Sequence, residues 1–157
     1  ILDYLKALQA PGTKRLCADL MPHESLPTGL EVSTIQAERS GTAQAVESIL
    51  QDWKQKGLCQ PKDVVVISPR KWLRNSSLGE VDTLCGFPLQ DYSEDVQGSV
   101  TYIGAHRSKG MDFLAVILID FPPFDELAAD PERLDLQEAF FLGASRARQL
   151  LAVVETA

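Results

Sequence analysis

Two short polar segments carry the side chains best suited to handling an anion. They are Ala105-His106-Arg107-Ser108-Lys109-Gly110-Met111-Asp112-Phe113 and Gly143-Ala144-Ser145-Arg146-Ala147-Arg148. Arginine forks onto phosphate or carboxylate oxygens, lysine supplies a point charge, and glycine permits a tight turn that exposes backbone N–H groups. An apolar run follows each segment, Leu114 to Phe121 after the first and Leu150 to Val154 after the second. A charged loop fixed to a buried strand is a rigid mount for chemistry. Two such mounts in one small domain predict one composite site.

The elements that must position these residues alternate along the chain. Ile1 to Gln9 reads as a helix end stopped by Pro11-Gly12, and residues 13–29 as irregular chain. Leu30 to Ile35 alternates as a strand does. Ser40 or Thr42 can cap a helix to Lys56 with the stripe Val46, Ile49, Leu50 and Trp53, ended by Gly57. Val64 to Ile67 is a short continuous apolar run, the mark of a strand buried on both faces, and Pro69 closes it. Leu78 to Cys85 reads as a short helix and Val100 to Ile103 as a strand. The strand Leu114 to Phe121 ends at Pro122-Pro123, which opens an acidic loop. Asp135 caps a helix expected to run through Arg148, before the last strand, Leu150 to Val154. Strands alternating with helices imply an α/β fold with a mostly parallel central sheet.

The chain has 157 residues, enough for one domain with a sizeable core, and 45% of them are apolar. No apolar run approaches the roughly 20 residues of a membrane span, so no membrane role is expected. Ile1 opens the sequence without a basic leader, which reads as a piece of a longer cytoplasmic protein. Cys17, Cys59 and Cys85 are odd in number and widely spaced, so they are expected to be reduced and mostly buried, without a disulfide framework or a metal site. The net charge is −7, against the basic footprint usual in nucleic-acid binders. Its distribution matters more. Seven acids and one base lie between Asp120 and Glu138, while Arg70, Lys71, Arg74, Arg107, Lys109, Arg146 and Arg148 crowd three short segments. A local anion site fits that pattern; a broad DNA-binding face does not.

The two polar segments resemble motifs V and VI of superfamily I helicases of the UvrD/Rep type. His106, Lys109, Gly110 and Phe113 match the first motif, with Met111 and Asp112 where that family usually has Leu and Glu. Phe140-Phe141-Leu142-Gly143-Ala144-Ser145-Arg146-Ala147 matches the second. Gly104 departs from the pattern, standing where the family usually has Thr. The resemblance implies the second RecA-like domain of a helicase, a three-layer sandwich carrying motifs IV to VI. It implies that Arg146 is an arginine finger for ATP, that Lys109, Gly110 and Asp112 also face the nucleotide, and that His106, Arg107 and Ser108 face a strand of DNA. Arg70 is the candidate for the motif IV arginine, one position late, since Pro69 aligns with it. Read without the resemblance, Arg146 is a solvated arginine at a helix end, Arg70 a surface residue, and His106 a satisfied structural histidine.

No Gly-x-x-x-x-Gly-Lys-Ser/Thr loop occurs in the sequence, and no Asp-Glu pair follows a strand. The resemblance therefore implies partners: an N-terminal RecA-like ATPase domain of the same protein, holding most of the ATP and its Mg²⁺, and single-stranded DNA. The competing expectation is a degenerate helicase-like domain kept as a protein-interaction module, without coupling to ATP.

Overall fold

The computed structural model describes residues 31–93 and 98–156. The readings for Ile1 to Gln9, residues 13–29 and Cys17 lie outside them. The elements are β1 (Glu31–Ala37), α1 (Thr42–Gln55), β2 (Val64–Ser68), β3 (Thr83–Leu84), β4 (Phe87–Asp91), β5 (Val100–Gly104), β6 (Phe113–Phe121), α2 (Phe124–Ala129), α3 (Leu134–Ala144) and β7 (Ala147–Thr156). They build one seven-stranded sheet in the order β1-β7-β6-β2-β5-β4-β3. All neighbours run parallel except the β3–β4 hairpin.

The central strands are buried on both faces, which is why they read as unbroken apolar runs. Alternate residues divide between two cores. Val64 and Val66 of β2 meet Val46, Ile49, Leu50 and Trp53 of α1 on one face. Val65 and Ile67 meet Ala139, Phe140, Phe141 and Ala144 of α3 on the other. Helix, sheet and helix make the three-layer α/β sandwich of the RecA-like type, with each fully buried Leu, Ile or Phe worth about 1.5–3 kcal/mol.

Helix α1 matches its apolar stripe and ends as expected. Gly57 (φ +68°) closes a Schellman turn in which the N–H of Leu58 reaches the carbonyl of Trp53. Its N-cap differs: the position is Gly41, and neither Ser40 nor Thr42 supplies a capping side chain.

Several expectations need correction. Leu78 to Cys85 is not a helix; it leads into a hairpin. Cys85 (φ +52°) and Gly86 (φ +82°) form the two-residue turn between β3 and β4, the positive φ at both positions marking a type I′ turn. Helix α3 stops at Ala144, not Arg148. The N–H of Phe113 binds the carbonyl of Arg146, Ala147 pairs with Phe113, and β7 starts there. Arg148 is therefore an exposed strand residue. The acidic segment after Pro123 is also more ordered than a loop, since it carries α2 and the first turn of α3. Cys59 and Cys85 are free thiols, each half-buried. Among the described residues, no helix is long and apolar enough to cross a membrane.

Candidate functional site

Arg146 sits in the two-residue link between α3 and β7. Backbone bonds fix that link: the Ser145 N–H reaches the Phe141 carbonyl, and the Arg146 N–H the Gly143 carbonyl. The Ser145 hydroxyl donates to the Leu142 carbonyl and accepts one Nη2 hydrogen of Arg146. The guanidinium is thus held from one side only. Its Nε is buried and has no acceptor among the described residues. A buried charged donor without a partner is expensive in a finished domain, which sets Arg146 apart from an ordinary surface arginine.

The loop before β6 is tied to the same place. Lys109 (φ −54°, ψ 131°) and Gly110 (φ +78°) are the central residues of a type II turn, closed by the Met111 N–H on the Ser108 carbonyl at 3.0 Å. Glycine is required at 110 for that reason. Lys109 and Asp112 are exposed. Asp112 stands immediately before Phe113, whose N–H donates to the Arg146 carbonyl at 2.9 Å. The end of the loop, at Asp112 and Phe113, and the backbone of Arg146 therefore meet at the start of β6 and β7.

His106, Arg107 and Ser108 lie on a 3-10 turn that follows the carboxyl end of β5 and runs directly into that loop. His106 and Arg107 are exposed. Ser108 is fully buried, and its hydroxyl donates to the Ala105 carbonyl at 2.6 Å. That hydroxyl shapes the turn and does not reach the surface.

Arg70 follows β2, also at the carboxyl end. Ile67 is level with Leu118, and Leu118 with Val153. Arg146 precedes Val153 by seven residues, on the order of 20 Å of strand. Arg70 and Arg146 therefore stand at opposite edges and do not converge on one phosphate within this domain. A closed ring of bonds fixes the backbone of Arg70. Its N–H donates to Ser68 Oγ, that hydroxyl donates to Tyr102 Oη, and the Tyr102 hydroxyl donates back to the Arg70 carbonyl. Burial and the nearby Asp120 and Asp91 carboxylates push the Tyr102 phenol up to about 12, with Ser68 and Arg70 partly opposing them.

The departure at Gly104 has a steric cause. A Cβ there would lie 2.9 Å from Lys71 Cα and 3.0 Å from the Arg70 carbonyl oxygen. The loop after β2 crosses too close to β5 for any side chain.

Trp72 was not among the residues singled out from the sequence. It is 38% exposed, with the Arg107 guanidinium 4.7 Å and the Lys71 ammonium 5.2 Å from its ring centroid. The sequence signal was an aromatic between two basic residues, Lys71 and Arg74; its meeting with Arg107 is tertiary. Among the described residues, no group of three or more His, Cys, Asp or Glu side chains is placed to hold a metal ion.

In structure the chain is similar to the C-terminal domain of a possible DNA helicase from Lactobacillus plantarum, with a TM-score of 0.55 and 17% sequence identity. The likeness covers 82% of this chain and 74% of that one, and at this identity it is a likeness of fold. No family model and no curated protein matches the sequence.

Proposed function

We propose that this domain completes a nucleotide-hydrolysing site built mainly by another domain, and that Arg146 is the residue it contributes. The observation that carries the proposal is the half-satisfied guanidinium of Arg146, anchored by Ser145 on one side with its Nε buried and unpartnered on the other. A guanidinium stays charged at every working pH and forks onto phosphoryl oxygens. Presented from across a cleft, it stabilises the charge that develops as the γ-phosphoryl group of ATP is transferred to water. On this reading the exposed Lys109 adds positive charge to the site, and Asp112 accepts a ribose hydroxyl. Mg²⁺ and most of the ATP belong to the other domain, since this chain has no phosphate loop.

The parent activity on this proposal is ATP-driven movement along single-stranded DNA. The fold likeness to a domain of a possible DNA helicase and the order of the two motifs support it. So does the cationic, aromatic surface of Trp72, Lys71 and Arg107, with His106 beside Arg107, which offers a stacking face next to phosphate-binding charge. The test is ATP turnover of this domain joined to its nucleotide-binding partner. Turnover stimulated by single-stranded DNA and abolished by Arg146→Ala is expected. Turnover indifferent to DNA and to Arg146 would leave a protein-interaction module.

A further inference from the structure

The carboxyl edge of the sheet holds a second candidate site, far from Arg146. β2 and β6 are neighbours, yet their onward connections part: β2 leads toward β4 and β5, and β6 leads through α3 to β7 on the other side. In parallel sheets, ligands bind outside the carboxyl ends of two strands whose connections diverge in this way. Here that position is a cleft of about 410 Å³, lined by Pro69 and Arg70 after β2 and by Asp120, Phe121 and Pro122 at the end of β6. Arg39, after β1, and Arg133, before α3, close it. The volume lies within the range of small-molecule sites, roughly 300–1,000 Å³.

Its polar groups are not matched to one another. Arg133 is paired with Asp130 at 3.2 Å. The guanidiniums of Arg39 and Arg70 make no hydrogen bond or ion pair among the described residues. Asp120 is held at φ +64°, a left-handed conformation that few non-glycine residues adopt. Its Oδ2 accepts the Ser77 N–H at 3.0 Å, and its Oδ1 is buried without a donor. Glu126 adds a second carboxylate to the lining. Two forked cations and an acceptor that lacks a donor therefore line one cleft. Such a set complements a molecule with an anionic group at one end and hydroxyl donors at the other.

We infer that this cleft binds a small hydroxylated phosphate ester, the size of a sugar phosphate or a mononucleotide. Arg39 and Arg70 take the phosphate, and Asp120 Oδ1 takes a hydroxyl. The inference does not rest on the role proposed for Arg146, and its readout involves no turnover.

The test is calorimetric titration of the 157-residue chain with ribose 5-phosphate and, separately, with inorganic phosphate. Saturable binding is expected, with the ester favoured by about tenfold, the scale of one charge-assisted hydrogen bond. Arg70→Ala and Arg39→Ala should each weaken both ligands by about tenfold or more. Asp120→Asn, which suits the left-handed backbone, should erase most of the preference for the ester while inorganic phosphate still binds. Arg148→Ala is the control for general charge attraction. Absence of saturable binding overturns the inference. So does binding that Arg39→Ala and Arg70→Ala leave within about twofold, a preference that survives Asp120→Asn, or an equal loss on Arg148→Ala.

Discussion

The backbone N–H of Phe113 donates to the backbone carbonyl of Arg146 at 2.9 Å. That bond joins the two polar segments through their main chains, without any side chain of either. The backbone position of Arg146 is therefore set by the frame of β6, β7 and α3, independently of the guanidinium, which Ser145 holds. Replacing the side chain removes none of these backbone bonds, so Arg146→Ala is expected to keep the fold.

Gly104 is required by the approach of Lys71. Gly104→Ala should lower stability by about 1–3 kcal/mol, the cost of overpacking a close contact, and Gly104→Thr by at least as much. The opposing gain from a stiffer unfolded chain, about 0.4–1 kcal/mol, does not offset it. Urea unfolding measures the difference. A Gly104→Ala protein as stable as the parent would mean that the loop after β2 does not pass this close.

Cys85 occupies a left-handed turn position without the residue type that favours it. Cys85→Asn, giving Asn-Gly at the two central positions, should stabilise the hairpin by about 0.5 kcal/mol, within the range of substitutions that suit their backbone conformation. A small rise in Tm is expected. A clear fall would argue that the bond from the Cys85 thiol to the Glu47 carbonyl outweighs the turn preference.

Stability should fall at high pH because of Tyr102. Its folded value of about 12 lies above the ordinary tyrosine value of 10.0. The unfolded chain therefore loses this proton first, and the neutral phenol favours the folded state. That contribution is complete below pH 10 and is lost as pH rises to about 12. At most it amounts to roughly 2–3 kcal/mol. Tyr102→Phe, which cannot ionise, should remove this part of the decline. An unchanged slope between pH 10 and 12 would place the titration elsewhere.

Sequence pattern revealed the parts of this fold that depend on burial alone. Val64 to Ile67 and Leu114 to Ile119 are apolar at every position because helices cover both faces, and the α1 stripe follows the helical period. What stayed hidden depends on partners distant in the chain. Leu78, Val81 and Cys85 are spaced as on one helix face (i, i+3, i+7), and nothing in Cys85-Gly86 marks a type I′ turn as strongly as Asn-Gly would. The end of α3 is set by Phe113, thirty-odd residues earlier. At the site, the Lys109-Gly110 turn was legible because its glycine needs positive φ. The separation of Arg70 from Arg146, the burial of Ser108 and the contact of Arg107 with Trp72 emerge only when strands are placed side by side.

Binding of single-stranded DNA should divide between stacking and charge. With two or three phosphate contacts, the slope of log affinity against log salt is expected at roughly −1.5 to −2. Trp72→Ala should weaken binding by about 1–3 kcal/mol with little change of slope. Arg107→Ala should make the slope shallower by roughly 0.7. Fluorescence anisotropy across a salt series separates the two effects. A slope that both variants leave unchanged would move the DNA surface away from this turn.

The most direct measurement is ATP turnover of this domain joined to its nucleotide-binding partner, for the parent sequence, Arg146→Ala, Arg146→Lys and Arg148→Ala. An arginine acting on charge that develops in the transition state controls kcat far more than nucleotide affinity. Arg146→Ala should lower kcat by about 10³-fold or more, with nucleotide Kd changed far less. Arg146→Lys should recover little, because an ammonium cannot fork. Arg148→Ala, on an exposed strand position, should be near the parent. If Arg146→Ala stays within about threefold of the parent while the fold is intact, Arg146 is not the finger and the central claim fails.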